Sequence, residues 1–398
     1  MKKYRILNGM VYTEQNYFAK KTVYMAGERI LDRDAYEACR GEDTLLDASG
    51  CYVIPGLTDI HFHGCAGSDA CDGTVEALRR IARYEGAHGI TTITPATMTV
   101  SEEQLMAVAR AAAAYRASGC MDKAAQGSAA YRGEGESVGA VLAGLYLEGP
   151  FISAAKKGAQ NESYIRRPDA ELFQRLNEAA NGCIRTVALA PETDGALEFI
   201  RAHAGRVNVS LAHMTADYET TRRALEAGAS QITHLYNAMP GFHHRDPGPI
   251  GAAADDPSCM VELICDGIHI HPAVVRATFR LFGEERVILI SDSLRACGMP
   301  DGEYELGGQH FYLEQKRATL LDGTLAGSAS NLMDCLRTAV KTMGIPLSGA
   351  VRAAAVNPAK AVGIFDEYGS LEPGKYANLV ILDQELCIRA VYIHGRKV

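Results

Sequence analysis

His61 and His63 stand either side of a single phenylalanine in PGLTDIHFHG (55–64). In an extended chain, residues two apart point the same way, so this spacing sets two imidazoles on one face. Further along come Glu148 in LEGPFI (147–152), His213, His234 in THLYNAM (233–239), Asp266 and His269 in DGIHIHP (266–272), and Asp292. Imidazole and carboxylate ligands in this number suit a divalent metal of the Zn or Fe(II) kind, one ion or two. Such ions acidify water and polarise carbonyl oxygens, so hydrolysis is the chemistry to expect. Each residue alone has an ordinary explanation: a strand-end histidine is commonly structural, and a lone aspartate commonly caps a helix. Their weight lies in coincidence, because each falls where an apolar run stops.

A second group is suited to an anion. The loop after His234 reads LYNAMPGFHHRDPG and carries Asn237, His243, His244 and Arg245. Guanidinium is the preferred planar donor for phosphate, although the same residues would also serve a solvated turn before Pro247-Gly248. His88, His203, His310 and His394 fall at helix ends or in peripheral strands and are read as ordinary.

These residues need a scaffold that gathers strand ends. Apolar, β-rich runs end near His63, Thr97, Pro150, Glu192, His213, Asn237, His269 and Ser293, and helix-like sequence such as 75–89, 101–116 and 217–228 follows. Eight such repeats predict an α/β fold, a (β/α)8 TIM-like barrel, in which all eight ends converge on one rim. An open doubly wound sheet would want a GxGxxG turn after an early strand, and none is there. Residues 1–54 and 363–398 carry short β-rich runs broken by turns. They predict a small β-sandwich domain formed by both termini, beside a catalytic barrel over 55–362. The polar stretch 115–138 reads as a loop extension between barrel units, and 303–323 as a hairpin on the catalytic rim before a helix starting near Asn331.

Composition narrows the function further. The 398 residues fit one barrel and a modest second unit, and 47% hydrophobic with 22% charged residues is ordinary for an enzyme with a large core. A net charge of −8 without a basic tract argues against nucleic-acid or anionic-membrane partners. No run of 18 apolar residues is present to span a membrane, and no apolar segment follows the first lysines to form a signal peptide. The 11 cysteines are scattered without a CxxC pair, which reads as buried small hydrophobes in a reducing compartment. The cytoplasm is the expected location.

Taken together, PGLTDIHFHG, LEGPFI, THLYNAM, FHHRDPG (242–248), DGIHIHP and GTLAGSA (323–329) resemble the N-acetylglucosamine-6-phosphate deacetylases, in order from about residue 5 to 395. The resemblance implies a principal metal site of Glu148, His213 and His234, a second ion at His61 and His63, and Asp292 as catalytic aspartate. It places substrate contacts at Ala159, Gln160, Asn237, Ala238, Arg245, His269 and the Leu325-Ala326-Gly327 backbone, with His244 and Asp266 beside them. It implies a sugar phosphate as substrate and a homodimer in which the Arg245 loop reaches the neighbour's phosphate. The implied reaction releases acetate and glucosamine 6-phosphate in amino-sugar catabolism, with the galactosamine epimer as an alternative substrate. A cyclic-amide amidohydrolase is a weaker alternative, because such enzymes carry a modified lysine where this chain has Pro191-Glu192. A non-catalytic scaffold would have lost ligands, and none is lost. Two positions depart from the family: Gln160 replaces a histidine in the KGAH segment, and Ala212-His213-Met214 replaces a Gly-His-Ser or Gly-His-Thr.

Overall fold

The computed structural model describes residues 2–118 and 138–398. Eight short apolar segments form the inner parallel strands: β1 (Leu57–Asp59), β2 (Ile90–Ile93), β3 (Leu145–Leu147), β4 (Ile184–Leu189), β5 (Asn208–Leu211), β6 (Gln231–Ile232), β7 (Met260–Ile264) and β8 (Val287–Ile290). Strands β3 to β8 make one six-stranded parallel sheet in chain order, and β1 pairs in parallel with β2. Both edges of the larger sheet are tied to the β1–β2 pair. The Thr97 N–H donates to Tyr146 O (2.9 Å) at one edge, and the Asp292 N–H to His61 O (3.0 Å) at the other. This is a mixed α/β architecture of the TIM-barrel type.

The helices between strands start where local chemistry says they should. Thr74, Ser101, Asp169, Asp217 and Asn331 each accept a hydrogen bond from a backbone N–H of the first turn of the helix that follows. The expected helices correspond to Val75–Ala87, Glu102–Ala117 and Tyr218–Glu226. Of the expected loop 115–138, residues 115–117 are the end of a helix, and 119–137 lie outside the described residues.

Strands from the two ends of the chain pair directly. Leu379–Leu382 runs antiparallel to Tyr52–Pro55, which runs parallel to Met10–Tyr12. A separate four-stranded sheet contains Arg29–Leu31, Val23–Ala26, Lys2–Leu7 and Glu42–Asp47. Ile6, Met25 and Ile30 of this sheet share a core with Val53, Leu379 and Tyr392 of the other.

Instead of a hairpin at 303–323, four antiparallel strands run through Gly302–Leu306, Gln309–Glu314, Arg317–Leu320 and Leu325–Ser328. The fourth strand is hidden in the sequence because LAGS is small and Gly-containing rather than β-branched. Phe311 and Leu313 are buried with Met98 and Leu294, so this sheet packs over the catalytic rim. Its Gly327 (φ 63°) has no room for a side chain: a Cβ would lie 2.8 Å from Leu294 and 2.9 Å from Asp292 O. No helix is long and apolar enough to cross a membrane among the described residues. All ten described cysteines are free; six are buried, and Cys387 is exposed.

Candidate metal centre and its cavity

The backbone turns sharply where the strands end. His213, His234 and Asp292 follow β5, β6 and β8 with φ of 45°, 29° and 48°, a left-handed region uncommon for non-glycine residues. These turns aim His213 and His234 at Glu148, which follows β3, and Asp292 at His63. Glu148 Oε1, His213 Nε2 and His234 Nε2 form a triangle whose sides are each 3.2 Å. Three ligands bound at 2.0–2.1 Å in a tetrahedron would sit about 3.3 Å apart, so the triangle has the dimensions of a metal site. The Lys156 carbonyl accepts from His213 Nδ1 at 2.8 Å, leaving Nε2 free of its proton to act as ligand.

His61, His63 and Asp292 make a second group of potential ligands. His63 Nε2 lies 3.3 Å from Glu148 Oε2 and 3.4 Å from Asp292 Oδ1. His61 Nε2 lies 3.4 Å from Glu148 Oε1 and has no hydrogen-bond partner although it is buried. A buried, unpartnered nitrogen facing two carboxylates is the signature of a place for a cation. Charge tells the same story: burial opposes protonation of His63, yet Asp292 and Glu148 outweigh it and push its pKa up to about 10. For Glu148, burial favours the neutral acid, but the surrounding imidazoles hold its carboxyl well below the usual range.

Sequence reasoning missed Glu262. Its Oε2 lies 2.7 Å from His61 Nδ1, its Oε1 accepts from Gln231 Nε2 at 2.5 Å, and it also accepts the His234 N–H at 3.1 Å. The available signal was a charged residue inside the apolar run MVELI. Tyr146, also missed, stacks its ring on His61 with centroids 4.4 Å apart.

Above the ligands opens a cavity of about 350 Å³. It is lined by His63, Glu148, His213, His234 and Asp292, and by the expected Ala159, Gln160, Asn237, Ala238, His269, Leu325 and Gly327. Ala326 is buried between the last two. Asp266 does not line the cavity; its Oδ2 holds His269 Nδ1 at 2.7 Å, which turns His269 Nε2 outward. Burial works against a charged His269, but the Asp266 contact outweighs it and raises the pKa. Gln160 is committed on both sides: its Nε2 donates to Glu148 Oε2 at 2.8 Å, and its Oε1 accepts the Thr99 N–H at 2.6 Å. His244 and Arg245 are exposed and lie outside the cavity of their own chain. Glu192 accepts from the Thr215 backbone and hydroxyl and also lies outside it.

Comparison with known proteins places this geometry among relatives. The amidohydrolase family matches residues 52–398. The chain is 38% identical to an N-acetylglucosamine-6-phosphate deacetylase of Vibrio furnissii over 347 residues, 87% of this chain and 82% of the relative. It is 35% identical to an N-acetylgalactosamine-6-phosphate deacetylase of Escherichia coli O157:H7, covering 86% of this chain and 87% of that one. Among solved structures, it is similar to a mutant N-acetyl-D-glucosamine-6-phosphate deacetylase of Mycobacterium smegmatis in complex with N-acetyl-D-glucosamine-6-phosphate. That similarity has a TM-score of 0.84 at 31% identity and covers 100% of this chain and 98% of the other.

Proposed function

This chain belongs to the amidohydrolase family, and from that premise we propose that it hydrolyses the N-acetyl group of N-acetylglucosamine 6-phosphate, releasing acetate and glucosamine 6-phosphate. The observation that carries the reading is the 3.2 Å triangle of Glu148, His213 and His234 at the floor of a sugar-sized cavity. Those three residues would hold a divalent ion, Zn or Fe(II), and His61, His63 and Asp292 have the ligand set for a second. When bound, the metal supplies a Lewis acid that acidifies water and polarises the amide carbonyl.

The chain's own residues do the rest. Asp292 is buried, which alone would favour its neutral form, but the His63 contact and the nearby imidazoles lower its pKa and keep it ionised. It takes the proton of the attacking water and then delivers it to the departing amine nitrogen. The water oxygen bonds to the carbonyl carbon, and the C–N bond breaks. His269, oriented by Asp266, donates from Nε2 to the carbonyl oxygen as negative charge develops there. Gln160 fixes the orientation of Glu148 and is not the principal oxyanion donor. Asn237, Ala238 and the 325–327 backbone hold the sugar.

Because Arg245 lies outside its own cavity, we assign it to the phosphate of a neighbouring subunit in a homodimer. The same reading treats 1–54 with 363–398 as one β-sandwich unit and 55–362 as the catalytic barrel. A reducing, cytoplasmic setting is part of this reading, and the ten described cysteines are free.

The test is metal analysis of the purified protein alongside acetate release from both N-acetylhexosamine 6-phosphate epimers. Faster turnover of the glucosamine form is expected. Metal-bound protein that releases acetate from neither epimer would reject the function, and preference for the galactosamine form would move it to the second epimer.

A further inference from the structure

A second cavity lies at the other end of the barrel. Ile184 and Arg185 at the start of β4, Asn208 at the start of β5 and Ser230 just before β6 all line it. β4 runs six residues to the catalytic rim, so at about 3.3 Å per residue the two cavities are separated by roughly 16 Å of strand. The volume is about 720 Å³, within the range that takes a small metabolite.

Its charge is one-sided. Arg185, Arg206 and Lys360 line it, and no aspartate or glutamate does among the described residues. None of the three forms an ion pair within the described chain. Arg185 donates only its Nε, to Ala143 O at 3.2 Å. The Lys360 ammonium sits 4.9 Å from the centre of the Phe365 ring. Its field reaches Glu372, but that carboxylate is held at 2.9 Å by Lys375. Half-burial, and then the charge of Arg116, depress the Arg185 pKa, and no carboxylate offsets them among the described residues. In a chain of net charge −8, stability alone gives no reason to gather cations at the face of a barrel that normally serves only stability.

The neutral lining suits a hydroxylated ligand. Asn177 and Gln174 line the wall beside Ser230 and Asn208. His203 is bonded through Nδ1 to Phe199 O at 2.8 Å, which leaves Nε2 without a protein partner among the described residues.

We propose that this cavity binds a small phosphorylated anion, a dianionic phosphate monoester, at a site separate from the catalytic one. Two guanidinium groups and an ammonium match a dianion in charge, and guanidinium matches phosphate in geometry. An occupant there cannot compete with substrate; it stabilises the folded barrel by mass action and acts on turnover only through the strands.

Calorimetric titration of the metal-loaded enzyme with inorganic phosphate at low ionic strength tests this. Wild type should show two classes of phosphate site per chain, of which Arg245→Ala weakens only the catalytic one. Arg206→Ala combined with Lys360→Ala changes two exposed residues remote from the metal centre. It should weaken the second class by about tenfold or more while leaving KM and kcat unchanged. Arg185→Gln, which keeps a donor but loses the charge, should weaken the same class. The proposal is overturned if Arg206→Ala with Lys360→Ala and Arg185→Gln both bind phosphate as wild type does, or if wild type has only the class that Arg245→Ala weakens. It is likewise overturned if citrate occupies the second class and phosphate does not.

Discussion

His61 Nδ1 lies 2.7 Å from Glu262 Oε2, and neither side chain has any solvent-exposed surface. A carboxylate in that position keeps the imidazole proton on Nδ1 and turns the Nε2 lone pair toward Glu148 and Asp292. Glu262→Gln should therefore loosen the ion held by His61 by about 10–100-fold and leave the Glu148–His213–His234 ion in place. Metal titration of the apo-protein measures both steps. Unchanged affinity at each would show that Glu262 has no part in metal binding.

Replacing His61 and His63 together by alanine should remove one of two metal-binding steps. Stoichiometry by elemental analysis is the readout. A double variant that holds as much metal as wild type would mean that only one ion binds.

Asp292→Asn should lower kcat by about 10²–10⁴-fold, the usual contribution of a general base. The Glu148 set should keep its ion, which separates loss of the proton carrier from loss of the site. Activity above about a tenth of wild type would exclude the role.

Arg245→Ala should raise KM for the 6-phosphate and barely alter the weak hydrolysis of unphosphorylated N-acetylglucosamine. If Arg245 serves the neighbouring subunit, mixing Arg245→Ala with Asp292→Asn chains builds hybrid dimers with one complete site. Random pairing then restores about a quarter of wild-type activity. No recovery on mixing would place Arg245 outside the neighbour's site.

Glu85, on the inner side of the helix Val75–Ala87, is fully buried, and neither carboxylate oxygen has a hydrogen-bond partner. Burial, and then the charge of Asp59, push its pKa from 4.5 up to about 8. Between those values the folded chain keeps a proton that the unfolded chain releases, so stability falls as pH rises from about 4.5 through about 8. Glu85→Gln should flatten that slope, with a difference on the order of 3 kcal/mol accumulating by pH 8. Denaturant melts at pH 5 and pH 8 measure it; parallel slopes for the two proteins would contradict the assignment.

Legibility in the sequence followed physical type. His61, His63, Glu148, His213, His234 and Asp292 were readable because each ends an apolar run, and a barrel gathers such ends in one place. Glu262 was not, since one carboxylate inside MVELI reads equally as a solvent-facing position of a strand; only closure of the sheet shows that it faces inward. Gln160 lines the cavity as expected, but the bonds of its amide to Glu148 and Thr99 were not legible, because no spacing rule reveals which partner an amide takes. The strand Leu325–Ser328 escaped notice because its residues pack by being small.

The left-handed backbone at His213, His234 and Asp292 has a consequence for how this protein can change over generations. Each non-glycine residue held there costs roughly 1–3 kcal/mol, which the rest of the fold must supply. Glycine at any of the three would relieve that cost and remove a proposed metal ligand or the proposed proton carrier in the same step. Under selection for heat tolerance alone, descendants would shed their chemistry at these three strand ends first. A robust but inert lineage would be recognisable by glycines in their place.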